Sequence, residues 1–297
     1  MSVVVITGSS SGFGLEAALA FARNDDTVIA TMRDTGKAGD LLERAAIEEL
    51  EVQVKPLDVT RSDTFASFVA TVAEEHDRLD VLINNAGIHR SGALEDLSEE
   101  TFRLVMETNC IGPLLLTRAV LPHMRSQNKG LIIMMSSLSG IAGLPGDLAY
   151  AASKFALEGA TEALRHEVDR WGIRVALVQA GLFKTGFMAH NLPATSAASS
   201  DGSSQSPYRP LIEWQLNNLR DRISAASNPR IVAELFVTIA NSDQSRLRWP
   251  ADPMAEKVLE TMLAQNDLER DEFLRNVAGS DWWSRGAEAP TNKGSDC

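Results

Sequence analysis

Tyr150 and Lys154 stand four residues apart in Tyr150-Ala151-Ala152-Ser153-Lys154, a spacing that puts both side chains on one face of a helix. A free phenol ionises at about pH 10, too high for efficient acid–base work near neutrality, and a cation beside it favours the phenolate. The pair can therefore exchange a proton with a carbonyl or alkoxide oxygen. Ser136-Ser137 follow the apolar run Leu131–Met135, and the Ser137 hydroxyl can donate to the same oxygen as an oxyanion stabiliser. Asn109, in Thr108-Asn109-Cys110-Ile111-Gly112, supplies a further polar group. Each residue also has an ordinary reading, as a surface helix pair, an N-cap or a polar helix interior.

Proton transfer at a carbonyl needs a hydride donor, and the chain opens on a place for one. The run Val3–Ile6 leads into Thr7-Gly8-Ser9-Ser10-Ser11-Gly12-Phe13-Gly14, spaced TGxxxGxG, and then into a helical pattern. Glycines let a pyrophosphate approach the backbone, and a helix N-terminus offers free N–H groups and partial positive charge. Gly8, Ser10, Ser11, Gly12, Phe13 and Gly14 are thus candidate cofactor contacts. At the end of the second strand an acidic residue suits a ribose hydroxyl, whereas an arginine suits a 2′-phosphate. The chain has Met32-Arg33-Asp34 there, which predicts NADP(H) over NAD(H), although Asp34 could neutralise Arg33. Asp58-Val59 follow the third run, as an adenine pocket or with Asp58 capping the next helix. Asn84-Asn85-Ala86-Gly87 ends the fourth, and Asn85, Ala86 and Gly87 are candidate cofactor contacts.

TGxxxGxG, Asn-Asn-Ala-Gly and the ordered Asn109, Ser137, Tyr150 and Lys154 together resemble the short-chain dehydrogenase/reductase family, over roughly the first 190 residues. The resemblance implies that Tyr150 is the general acid/base, that Ser137 polarises the substrate oxygen, and that Lys154 tunes Tyr150. Tyr150 and Lys154 would also contact the cofactor. Asn109 would hold a water that passes protons onward from Lys154. Phe183 and Thr185, in Gln179-Ala180-Gly181-Leu182-Phe183-Lys184-Thr185, would hold the nicotinamide carboxamide, with Ala180 where relatives commonly have proline. Ala30–Asp34, Gly143-Leu144-Pro145 and Ser153–Gly159 are similar to the 17β-hydroxysteroid and retinol dehydrogenase branch, which implies a bulky, apolar alcohol or ketone. Two rival readings are an NADP(H)-binding sensor with little turnover and a sugar-nucleotide epimerase. An intact proton-transfer set argues against the first. The glycine spacing and the absence of a large C-terminal substrate domain argue against the second.

Positioning these residues requires alternating strands and helices. The runs Val3–Ile6, Thr27–Thr31, Val52–Leu57, Val81–Ile83, Leu131–Met135, Ile173–Val178 and Leu247–Trp249 read as strands. Leu15–Arg23, Phe65–Glu75, Thr101–Met124 and Ala151–Arg170 carry helical spacing, as do Pro207–Ile223 and Pro229–Ala240. The alternation predicts one doubly wound α/β Rossmann domain over 1–286, with a parallel sheet of about seven strands. Residues 187–228 would form a substrate loop or lid, with Phe187, Met188, Leu192, Tyr208, Leu211, Ile212 and Trp214 as pocket walls or core. Trp282-Trp283 would anchor the C-terminal region, and 287–297 would be a disordered tail. By resemblance, Thr101–Met124 and Ala151–Arg170 would pair copies into a homodimer or homotetramer.

Composition narrows the classes further. Of 297 residues, 44% are hydrophobic and 23% charged, enough for a sizeable core. A net charge of −12 argues against nucleic acid and anionic membranes as partners, leaving a small-molecule carbonyl or alcohol. Two cysteines, no metal-ligand clustering and no N-terminal signal pattern predict a metal-free cytoplasmic protein. No apolar run suggests a membrane span.

Overall fold

The apolar runs form the seven strands of one sheet in a computed structural model that describes residues 1–185, 187, 206–223 and 226–290. In chain order they are β1 (Val3–Thr7), β2 (Thr27–Met32), β3 (Gln53–Pro56), β4 (Val81–Asn84), β5 (Gly130–Met135), β6 (Ile173–Gln179) and β7 (Arg248–Pro250). The spatial order is β3-β2-β1-β4-β5-β6-β7, with every neighbouring pair parallel. The order reverses between β1 and β4, so a crevice opens at their carboxyl ends.

Every residue of β1, β4 and β5 is buried, as expected where helices cover both faces of a parallel sheet. Alternate side chains serve opposite cores. Val4 and Ile6 pack with Leu15, Leu19 and Phe21 of α1 (Gly12–Arg23) and with Phe236 of the helix Arg230–Asn241. Val3 and Val5 join Val69 of α3 (Phe65–His76) together with Leu116, Val120 and Leu157 on the other face. At the sheet edge β3 is only half-buried and shorter than the run Val52–Leu57 suggests.

Two expectations need correction. The single helix expected over Thr101–Met124 is α4 (Glu99–Met106) and α5 (Gly112–Gln127), joined by the π-helical turn Glu107–Ile111. A π turn adds a residue to the helical repeat and is a common way to aim a side chain at a site. Contrary to the sequence reading, Glu99–Gln127 as a whole is long and apolar enough to cross a membrane by composition. Half of its apolar window is buried in the domain, where Val105, Leu116, Val120 and Met124 face the core, so it packs as a core helix.

Apolar periodicity does not disclose α2 (Gly39–Ile47) or the helices Pro253–Ala264, Asp267–Ala278 and Asp281–Ser284. The boundaries of Pro253–Ala264 and Asp267–Ala278 are nonetheless written in capping residues. Asp252 accepts from Ala255 N ahead of Pro253, Asn266 and Glu269 form a capping box, and Gly279 takes a left-handed C-cap.

Candidate active site

Ser137, Tyr150 and Lys154 converge at the carboxyl end of β5. Tyr150 and Lys154 lie in the first turns of α6 (Leu148–Val168), where the Ala151 N–H donates to the Asp147 carbonyl at 2.8 Å. The Lys154 ammonium is 5.7 Å from the Tyr150 ring centre and donates to the Met135 carbonyl at 2.7 Å. Ser137 hydrogen-bonds the Tyr150 phenol, and its Oγ accepts from Ser139 N at 3.1 Å.

The electrostatics differ from the sequence expectation. Tyr150 keeps part of its surface exposed, yet its surroundings are dry enough that burial pushes the phenol well above its ordinary pKa. The Ser137 hydrogen bond opposes that shift, and the negative charge of Asp147 adds to it. The expected lowering by Lys154 is not among these influences. Lys154 is itself buried, and burial pushes it down to about 8 against the opposing influence of Cys110 and Glu158.

Asn109 sits in the π turn, fully buried. Its Oδ1 accepts from Ile88 N at 2.8 Å, and its Nδ2 donates to the Ile88 carbonyl at 2.8 Å and to Ser153 Oγ at 3.0 Å. Ser153 Oγ in turn donates to the Tyr150 carbonyl at 2.7 Å. The Asn109 side chain therefore ties the segment after β4 to α6, and its amide is spent on protein partners. A Cβ at Gly87 would lie 3.3 Å from Asn109 Oδ1 and 3.9 Å from Lys154 Nζ, so Gly87 belongs to the same corner.

The glycine turn has the expected shape. Gly8 has φ +70°, and a Cβ there would come within 2.8 Å of Ala86 Cα. Asn85 locks this approach: its Nδ2 donates to the Thr7 and Gly8 carbonyls at 2.9 and 3.2 Å. The amide thus shapes the turn. At the start of α1, the Ser11 side chain makes no cap and the first turn holds no acidic residue, so the helix N-terminus is free to meet an anion. Ser10, Gly12 and Phe13 flank it. Thr185 lies against this turn, its Cβ 3.4 Å from the place of a Cβ on Gly12. The rings of Phe13 and Phe183 meet edge-on at 5.2 Å.

Arg33 follows β2, exposed and without an ion pair among the described residues. Asp34 makes no ion pair with it, and its carboxylate caps Gly36 N at 3.0 Å. Asp58 uses Oδ1 to accept from Thr60 N and Oγ1 at 3.0 and 2.8 Å, which closes a local turn and does not cap the short helix Ser62–Thr64, and the neighbouring Val59 is buried against Gly112.

The expected pocket residues separate. Phe187 lies 6.1 Å from the Tyr150 ring, and Ile212 reaches the loop at Gly146. Trp214 turns away, donates to the Ala278 carbonyl at 3.3 Å and stacks edge-on with Trp282. Leu211 is buried, and Tyr208 donates to Glu95. Trp282 is buried beside Trp283, in keeping with an anchor. Met188, Leu192, most of the Ser-rich loop and residues 291–297 lie outside the described residues.

Sequence reasoning missed His89, Asp147, Ser139 and Ser153. His89 packs edge-on to Tyr150 at 5.0 Å and meets Asp147 through its ring nitrogen. No spacing rule links these residues, although a histidine just beyond Asn-Asn-Ala-Gly was a signal.

A parallel sheet with its order reversed beside a glycine turn, and a Ser–Tyr–Lys corner at the same crevice, define a dinucleotide-dependent oxidoreductase. The short chain dehydrogenase model matches residues 2–196, and the chain belongs to that family. Human retinol dehydrogenase 8 is 36% identical over 82% of this chain and 79% of its own length. Mouse 17-beta-hydroxysteroid dehydrogenase type 1 is 34% identical over 84% and 73%. A short-chain dehydrogenase structure from Streptomyces avermitilis superposes with a TM-score of 0.74 at 31% identity, covering 97% of this chain and 98% of its own. A metagenomic short-chain oxidoreductase in complex with NADP superposes at 0.65 and 25% identity, over 84% and 94%.

Proposed function

We propose that the chain interconverts a secondary alcohol and a ketone or aldehyde, using NADP(H), with Tyr150 as general acid/base. The observation that carries this reading is the corner of Ser137, Tyr150 and Lys154 set at the crevice beside the glycine turn. The cofactor fits the residues present: an uncapped helix N-terminus with its glycine cradle, and an exposed Arg33 whose neighbouring carboxylate is engaged elsewhere.

When bound, NADPH supplies the hydride that reaches the carbonyl carbon. Ser137 donates to the carbonyl oxygen and stabilises the developing negative charge. Tyr150 gives that oxygen its proton and is left as phenolate, which the Ser137 hydrogen bond and the nearby Lys154 ammonium stabilise until a solvent proton restores it. A phenol kept protonated by burial suits the role of donor. In the oxidative direction the same proton returns to Tyr150.

A bulky apolar substrate is supported by Phe187 beside Tyr150, by Ile212 against the loop at Gly146, and by the retinol and hydroxysteroid dehydrogenases among the relatives. Residues 187–228 are the substrate loop in this reading. Absorbance assays with a panel of bulky ketones, run with NADPH and then NADH, test it. Turnover with a clear preference for NADPH is expected. No turnover with either cofactor, or equal use of both, would overturn the activity or the cofactor assignment respectively.

A further inference from the structure

His89 is 3% exposed, a rare burial for an imidazole, and it is held by a carboxylate. Its Nε2 meets Asp147 Oδ1, and Asp147 Oδ2 accepts from Ser139 Oγ at 3.0 Å. The carboxylate assigns the ring proton to Nε2 and leaves Nδ1 a buried acceptor with no partner among the described residues. The backbone reinforces the link, because Gly92 N donates to the Gly146 carbonyl at 3.0 Å. Three segments of the site are thereby clamped together: the stretch after Asn-Asn-Ala-Gly, the turn that follows Ser137, and the start of α6 that carries Tyr150.

We propose that the His89–Asp147–Ser139 clamp positions Tyr150 for proton transfer and keeps a carboxylate in its surroundings. The inference rests on the oxidoreductase reading above. The charge of Asp147 acts against ionisation of Tyr150, since an anion nearby disfavours the phenolate. The His89 ring stacks edge-on against Tyr150 at 5.0 Å, and Phe187 closes over both rings at 6.4 and 6.1 Å. The other titratable groups are accounted for. Lys154 faces the Tyr150 ring from one turn along α6, with Cys110 and Glu158 acting on Lys154, and Arg90 donates to the His89 carbonyl. A purely structural latch could use a neutral pair. A buried histidine that fixes a carboxylate next to the phenol adds to what burial does, and so shifts the pH at which the donor becomes a base.

The test follows alcohol oxidation, where Tyr150 must be deprotonated. Asp147→Asn keeps the shape and an acceptor for His89 and removes the charge. The rising limb of its kcat/KM profile should move to lower pH by about one unit. Ser139→Ala keeps the charge and removes the donor that disperses it, so its limb should move the other way. His89→Ala should lower kcat with little change in KM, and His89→Gln should restore most of it, because the amide nitrogen reaches the place of Nε2. Limbs that coincide with wild type in folded, cofactor-binding Asp147→Asn and Ser139→Ala would overturn the proposal. If Asp147→Asn fails to fold, the Ser139→Ala limb decides alone. Wild-type protein that turns over no substrate would instead refute the oxidoreductase reading, a result read before any variant is made.

Discussion

Asp34 makes no ion pair with the adjacent Arg33, and its carboxylate caps the backbone N–H of Gly36 at 3.0 Å. The arginine is exposed at the end of β2 with no ion pair among the described residues, at the position where an arginine suits a 2′-phosphate. In the sequence, the adjacent Asp34 could have neutralised Arg33. The turn after β2 engages the carboxylate instead, because a capping carboxylate satisfies a backbone donor that would otherwise go unpaired.

Arg33→Ala should therefore raise the KM for NADPH by roughly tenfold to a hundredfold, the worth of a charge-assisted contact of about 1.4–3 kcal/mol, and leave the KM for NADH nearly unchanged. Steady-state kinetics with both cofactors check this. An equal loss with both would show that Arg33 does not read the phosphate.

Tyr150→Phe should lower kcat by about 10²- to 10⁴-fold while cofactor binding and the melting temperature stay near wild type. Removing the hydroxyl deletes the proposed proton donor and leaves the ring contacts with His89 and Phe187 in place. A variant that retains full reductase activity would sink the mechanism.

Lys154 is buried and depressed to about 8. In the reductive direction, activity that depends on its ammonium should fall as pH rises through about 8. A lysine lowered from its usual value of about 10.4 binds fewer protons folded than unfolded between those two values, so its contribution to stability rises with pH across the same window. Thermal melts read the sign directly. The melting temperature of wild type, relative to Lys154→Met, should climb between about pH 8 and pH 10. A flat difference would mean that the lysine is not depressed.

Asn109→Ala should leave the N–H and carbonyl of Ile88 without their partner and cost about 2–4 kcal/mol of stability in urea unfolding. It should also lower kcat more than the KM for cofactor, since Ser153 and the start of α6 lose an anchor. Full activity with unchanged stability would refute the anchoring role.

What could be read before folding was local. TGxxxGxG declares a turn because glycine at Gly8 alone tolerates both the positive φ and the approach of Ala86. Tyr150 and Lys154 declare a shared face because four residues make roughly one helical turn. The π turn at Glu107–Ile111 was not legible, because apolar spacing either side of it fits one continuous helix. Its interruption coincides with hydrogen bonds from Asn109 to Ile88, 21 residues earlier. Trp214 was equally ambiguous: its apolar character is local, but whether it walls a substrate or buries against Trp282 depends on helices far along the chain.

The sequence by itself determined the alternation of strands and helices, the phosphate-type turn and the ordered Asn–Ser–Tyr–Lys set, since each follows from backbone periodicity or from neighbours within a turn. Only the tertiary structure decided what surrounds Tyr150. His89 and Asp147 are 58 residues apart and meet because β4 and β5 pair in one register and deliver the loops that follow them to the same end of the sheet. That meeting brings in a carboxylate whose charge, with burial, holds the phenol above its ordinary pKa.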